Sequence, residues 1–410
     1  MNRRKFAKQL TVGALGVGSL LPLTKAKAQG PAPKGVSVTT PVASSNRIKS
    51  IKVERIETFK VVIPMKPGTV LSDNYAAVPE IRDSWDVFSI PKHIIKLHAS
   101  NGFVGLGETQ RGDNLDAPLA KNSQFLTGRN ILELNLADPA LGLPQRATAD
   151  GFEIAIYDLL GKTLGVPVHM LLGGRFKDKV AVTYWTGERN EADLVRIARQ
   201  TVEMGYKHLK FKAQFNQQKM DSIVQLVRAV DKVAPGLELT VDFNSSYPDI
   251  ASFLPVAKRL EGFNLKFEDP IPTRIDWFAD LREKMDVPLA LTPSSAVDTM
   301  LAIKKGACDL LNIGFDMREF VKIAFIAETA GIPIWHGSGI ELGIRDMSFI
   351  HAAAATRSCT IPSDTVCFLR EGDLLAKPFT VKDGYIEVPR EPGLGVDLDE
   401  DALRHFQVKA

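Results

Sequence analysis

The chain of 410 residues is 45% hydrophobic and 24% charged, an ordinary globular composition with length enough for a large barrel plus a second domain. Its formal net charge is +3, but residues 1–28 hold six basic residues and no acidic one, which leaves 45 basic against 48 acidic residues in the remainder. That balance excludes the basic surface of a nucleic-acid-binding protein. No run beyond the first thirty residues is long and apolar enough to span a bilayer.

Residues 2–8 read Asn-Arg-Arg-Lys-Phe-Ala-Lys, a weakly apolar stretch rich in Gly and Ala runs from Leu10 to Leu23, and Ala26-Lys27-Ala28 is a small-x-small cleavage pattern. This is the layout of an export signal, and Arg3-Arg4 with Phe6 resembles a twin-arginine signal. The reading expects residues 1–28 to be a signal peptide, 29–47 a flexible leader rich in Pro, Ser, Thr and Gly, and the mature protein to be periplasmic. Twin-arginine export carries folded cargo, which fits a metal inserted beforehand.

Alternating apolar and polar residues predict antiparallel strands over 48–62 and 93–99, followed by a turn at Asn101-Gly102 and a strand to Glu108. The segment 64–92 lacks periodicity and reads as a long loop, the kind that usually serves function. A helix with one buried face is predicted from Asp150 to Leu164. From Val180 the pattern changes to short runs of Val, Ile and Leu near 180–185, 207–212, 238–242, 264–268, 288–292, 309–313, 332–336 and 364–368. Amphipathic segments such as Glu191 to Glu203 and Ser222 to Val233 lie between them. Repeated strand–helix units of this length predict a parallel barrel. Alternation returns over 376–398. The odd set Cys308, Cys359 and Cys367 reads as three buried thiols, or as one Cys359–Cys367 disulfide with a thiol left over.

A barrel of this kind carries its active site at the C-terminal strand ends. The second strand ends Lys210-Phe211-Lys212. Residues two apart share a face, so both ammonium groups should enter the mouth, where each disfavours the other's charge and one can become a base. A surface Lys-x-Lys is the bland alternative. The third strand ends Val241-Asp242-Phe243-Asn244 and the fourth Phe267-Glu268-Asp269-Pro270. Carboxylates at two neighbouring strand ends are what a hard divalent cation requires; singly, each could be a helix cap or an ion-pair partner.

These elements, with Ala155-Ile156-Tyr157-Asp158, Gly161-Lys162, Gly165-Val166-Pro167 and Leu171-Leu172-Gly173-Gly174, resemble the mandelate racemase and muconate lactonising enzyme group of the enolase superfamily. Gly102 through Glu108 is similar to the hairpin of that family's capping domain. The ending from Pro389 to Val396 also matches, with flanks that look like glucarate dehydratases. The resemblance spans about residues 48–400. It implies an α/β fold, a TIM-like modified (β/α)7β barrel (173–375) with an α+β capping domain formed by the N-terminal region (48–172) and a returning C-terminal segment (376–410). It further implies magnesium on Asp242 and Glu268, Lys212 as the base that removes a proton beside a substrate carboxylate, and Lys210 tuning it or meeting the carboxylate. Asn244, Arg82 and Trp85 are expected at the substrate, with Asp73 and Tyr75 further candidates from the covering loop. The family often forms symmetric assemblies, so a homo-oligomer acting on a small carboxylate is expected.

The sequence departs from the family in two places. The third metal ligand should fall at about Pro293, which has no ligating atom, although Thr292 or Ser294 stands beside it. A catalytic Lys, or an Asp paired to histidine, should fall at about Gly314. His336, at the end of the seventh strand, then lacks the partner that would set its tautomer, but could protonate a leaving hydroxyl. Glu341, just beyond, is an acid or a helix cap. One base and one acid suit dehydration of an acid sugar or related hydroxyacid. The alternatives are a racemase or epimerase of the same superfamily, or a non-catalytic barrel that binds a carboxylate.

Overall fold

The computed structural model describes residues 48–84, 89–138, 140–214, 220–314 and 316–409. Strands β1 (Val53–Pro64), β2 (Ser89–Ala99) and β3 (Val104–Glu108) form an antiparallel sheet in that order. Its inward residues Ile95 and Leu97 pack with Phe152, Ile156 and Leu159 of the helix Ala149–Leu164. The close approach depends on two glycines. A Cβ at Gly105 would run into the Ala155 carbonyl, and one at Gly107 into the Gly151 carbonyl, so helix and strand touch backbone to backbone.

The barrel strands are β4 (Lys179–Glu188), β5 (His208–Lys212), β6 (Glu238–Asp242), β7 (Leu265–Glu268), β8 (Leu289–Leu291), β9 (Leu310–Ile313), β10 (Ile334–His336) and β11 (Ser363–Thr365). Each lies parallel to its neighbour from β4 through β10, and β11 returns to pair with β4. A parallel bridge from Ile334 to Cys359 closes the gap beside β10. Strand β12 (Tyr385–Glu387) adds antiparallel to the outer end of β4.

The intervening helices show why the sequence folds this way. In Glu191–Glu203 the buried residues Leu194, Ile197, Ala198 and Thr201 follow one face, and Asn190 caps the start by accepting from Asp193 N at 2.9 Å. The core is the ring of Val, Ile, Leu and Phe side chains between barrel and helices, including Leu209, Phe211, Val241, Phe267 and Leu311. No helix of the described residues is long and apolar enough to cross a membrane.

Two expectations need correction. The segment 64–92 is not one loop: it holds the short helices Asp73–Ala76 and Pro79–Ser84 and the start of β2. Of the alternation over 376–398, only Tyr385–Glu387 is a strand, because the chain there mostly turns and packs its apolar residues one at a time. All three cysteines are free, Cys308 and Cys359 buried and Cys367 half-buried.

The C-terminal segment runs back over the first domain. Gln407 bridges Val61, Lys96 Nζ reaches Glu400 Oε1 at 2.5 Å, and Leu394 N donates to the buried Asp158 carboxylate at 2.8 Å.

Candidate active site

Parallel pairing sets the register of the mouth: Lys212 pairs with Asp242, and Asp242 with Glu268. Three consecutive strands thus end level, each on a charged residue. Two residues on, the chain turns through Asn244 with φ 48, a left-handed conformation that asparagine accepts better than most residues. The turn folds the Asn244 backbone N–H onto Asp242 Oδ1 at 3.1 Å.

These ends surround a cavity of about 410 Å³, lined among others by Lys210, Lys212, Asp242, Asn244, Glu268 and Asp364. Lys212 Nζ donates to Asp242 Oδ2 and to Asn244 Oδ1, both at 2.6 Å. Lys210 lies deeper. Its Nζ is 2.7 Å from Asp364 Oδ2, 2.8 Å from Glu268 Oε2 and 3.2 Å from Asp242 Oδ2. Asn312 Nδ2, from β9, donates to Glu268 Oε1 at 2.7 Å. The two lysines therefore do not face each other bare, because Asp242 Oδ2 stands between them.

The electrostatics follow from this packing. Burial alone would pull the Lys210 ammonium down, but Asp364, Glu268 and Asp242 together hold it well above the ordinary lysine range. Burial would raise Asp242, yet Lys212 and Lys210 keep it at about 2. Glu268 goes the other way: burial, and then the charge of Asp242, push it well above the usual carboxylate range in spite of Lys210. Asp269, half-buried in the same cavity wall, is pushed up to about 6, chiefly by desolvation.

Of the residues expected at the site, Lys210, Lys212, Asp242, Glu268 and Asn244 come together in this cavity. His336 and Glu341 do not line it. They border a second cavity of about 200 Å³ with Lys92, Gly314 and Arg345, which meets the first at Arg111 and Gly339. His336 is buried, and Phe349 stacks on its ring at 3.4 Å between centroids. Glu341 turns back on its own loop, accepting from Ser338 Oγ and, at 2.7 Å, from Gly339 N. Arg82 is exposed on the helix Pro79–Ser84 and is not part of either cavity wall. Trp85 lies outside the described residues. Asp316 reaches Arg345 Nη2 at 3.8 Å rather than the main cavity.

Sequence reasoning missed Asp364, Asn312 and Arg111. Asp364 sits in the middle of β11, and Asn312 is two residues before Gly314, on the inward face of β9; the period of two could have found it.

Members of the enolase superfamily typically use magnesium. A magnesium ion needs near-octahedral oxygen contacts at about 2.0–2.1 Å. Here the point where the Asp242, Glu268 and Asp364 oxygens converge holds the Lys210 nitrogen at 2.7–3.2 Å, Asn312 occupies a Glu268 oxygen, and Pro293 stands at the end of β8. Among the described residues no group of three or more His, Cys, Asp or Glu is arranged to hold a metal ion. The donor set as it stands fits an ammonium and does not fit a divalent ion.

Comparison with known proteins agrees with the architecture. The chain is 25% identical over 381 residues to an N-succinyl-L-Arg/Lys racemase of Bacillus cereus, covering 87% of this chain and 98% of the racemase. It is 26% identical to a D-xylonate dehydratase of Haloferax volcanii, covering 82% and 90% respectively. The crystal structure of muconate lactonizing enzyme from Pseudomonas fluorescens with muconolactone superposes with a TM-score of 0.77 at 24% identity, over 88% of this chain and all of that one. The family model of enolase C-terminal domain-like proteins matches residues 193–402, which includes every barrel strand from β5 to β11 and the added strand β12. With that match over half its length and the level row of charged strand ends, the chain belongs to the enolase superfamily.

Proposed function

We propose that this protein abstracts the proton next to the carboxylate of a small hydroxyacid or acid sugar, with Lys212 as base, and eliminates water. The carrying observation is the position of Lys212. Its side chain is 14% exposed, toward the cavity, while that of Lys210 is 4% exposed and enclosed by carboxylates. Asp242 and Asn244 hold the Lys212 amine at the rim, and Arg111 and Gln214 line the same cavity, where they can receive a substrate carboxylate.

In this reading the Lys212 amine takes the alpha proton and the electron pair moves into the carboxylate as an enediolate. The pair then returns to expel the beta hydroxyl, which takes the proton back from Lys212 and leaves as water. One residue thus serves both steps. Racemisation needs a base on each face of the substrate. Gly314 offers none, and His336 borders the neighbouring cavity. The relatives support proton chemistry in this barrel, a dehydratase and a racemase among them. A second reading, binding of a carboxylate without turnover, draws support from Pro293 and Gly314, where the family's ligand and catalytic group are expected.

The test is deuterium exchange at the alpha carbon, followed by proton NMR, across a panel of acid sugars and hydroxyacids. Exchange with loss of water, abolished in Lys212→Ala, is the expected result. Binding without exchange by every panel member would favour the second reading, and exchange that survives Lys212→Ala would remove the base. The proposal also sets this activity in the periplasm, on the strength of Arg3, Arg4, Phe6 and Ala26-Lys27-Ala28, and in a homo-oligomer; cell fractionation and gel filtration test these two points.

A further inference from the structure

We infer that the cation of this barrel mouth is the chain's own Lys210 ammonium, held by a third carboxylate, Asp364, that β11 supplies from the side of β5 away from β6 and β7. The inference deepens the reading of the same cavity and rests on its location, not on its chemistry.

The stoichiometry is the first argument. An ammonium has three donors, and three carboxylates from β6, β7 and β11 each offer an oxygen within 3.2 Å of Lys210 Nζ. Two of the donors go to Glu268 Oε1 at 2.9 Å and Asp364 Oδ2 at 2.7 Å, and the Asp242 contact is an ion pair at 3.2 Å. The enclosure is the second. The four side chains are only 2–4% exposed, so the ammonium is a built part of the wall, with the Trp335 ring 6.0 Å away. The neighbours are the third. Asn312 points a donor, not a lone pair, at Glu268, and the end of β8 carries Pro293. A divalent ion entering beside a fixed ammonium would have to share its carboxylates against like-charge repulsion.

The experiment uses the full mature chain, stripped with chelator, and titrates Mn2+ by the EPR signal of the free ion. Wild type is expected to leave Mn2+ free at concentrations that saturate ordinary carboxylate sites. Lys210→Met, which vacates the seat but keeps all three acids, is expected to bind one Mn2+ at least about tenfold more tightly. Adding Asp364→Asn to Lys210→Met should abolish that gain. Tight stoichiometric binding by wild type, lost in Asp242→Asn, would overturn the inference, and this arm needs no Lys210 variant to fold. A Lys210→Met site indifferent to Asp364→Asn would overturn the role of Asp364. Alpha-carbon exchange that depends on Lys212 and persists in chelator supports both readings. Exchange that chelator abolishes, with tight Mn2+ binding, sinks this inference alone.

Discussion

Glu108 offers a quantitative test of how the capping domain holds the mouth in shape. Its carboxylate is fully buried at the end of β3 and accepts three hydrogen bonds: from Lys92 Nζ at 2.7 Å, from Leu342 N at 2.7 Å and from Arg345 N at 2.9 Å. The last two lie at the start of the helix Ile344–Ala354, so the anion also meets the positive end of a helix. Glu108→Gln keeps the shape but removes the charge. Lys92, whose side chain is 0% exposed, would then be a buried cation without its anion. Breaking such a pair from one side costs about 3–5 kcal/mol. Unfolding entropy of about 2.1 cal/mol/K per residue makes 1 kcal/mol worth roughly 1–1.5 °C in a chain of this size, so the melting temperature should fall by about 3–7 °C. Calorimetry of Glu108→Gln, Lys92→Met and the double variant forms the assay. The double variant should recover part of the loss, because the uncompensated charge is gone. A drop under about 2 °C with no coupling would refute the claim that Glu108 acts as a buried anion between Lys92 and the start of the helix Ile344–Ala354. Ligand affinity should weaken as well, since the loop before this helix carries Ser338, Gly339 and Ile340 into the cavity wall.

Asp269→Asn should gain on wild type as pH rises. Burial lifts Asp269 to about 6 from its ordinary 3.8, so the folded state keeps a proton that the unfolded state gives up, and stability falls as pH climbs through that window. The amide removes this dependence while still accepting from Thr292 N, now at 3.0 Å, for a relative gain of up to about 3 kcal/mol between pH 4 and 8 by urea titration; equal slopes would show the burial argument to be wrong. Gly314→Asp should fold with little loss, within about 0.5 kcal/mol, because a Cβ there meets no atom within 4 Å. Marked destabilisation would mean that this glycine serves the fold, not the site.

The parts of the site legible in the sequence were those set by strand period and register. Lys210, Lys212, Asp242 and Glu268 could be placed because β5, β6 and β7 are each four or five residues long with a polar end on an apolar run. Asp364 escaped because β11 is three residues, too short for alternation to show, and it begins a residue before the predicted strand, with a helical turn at Cys367–Leu369 where the prediction ran on. His336 was rightly placed at the end of β10. Which cavity it faces is decided by Phe349, on a helix that packs from the far side, and no local pattern carries that information. The helices Asp73–Ala76 and Pro79–Ser84 are four and six residues long, below the length at which periodicity is readable.

The two acids in the mouth give the sharpest distinction between an ammonium seat and a metal seat. In a metal site both carboxylates bind as anions, and neutralising either removes a ligand. Around Lys210 they are unequal. Asp242 is held at about 2 by Lys212 and Lys210, whereas burial and Asp242 itself drive Glu268 well above the ordinary range, so of the two acids Asp242 holds its charge the more firmly. Asp242→Asn should therefore cost about 3–5 kcal/mol at neutral pH. Glu268→Gln, which imitates the protonated acid, should cost less than half of that. The pH dependences run in opposite senses. A depressed carboxylate stabilises the fold above its unfolded value of 3.8 and stops doing so as pH falls toward about 2, so the Asp242→Asn deficit should shrink on acidification. A raised carboxylate makes the fold less stable as pH climbs past 4.5, so Glu268→Gln should improve against wild type at higher pH. Equal losses for the two variants, with parallel pH profiles, would mean that both acids are ionised together. That outcome would remove the unequal roles of the two acids.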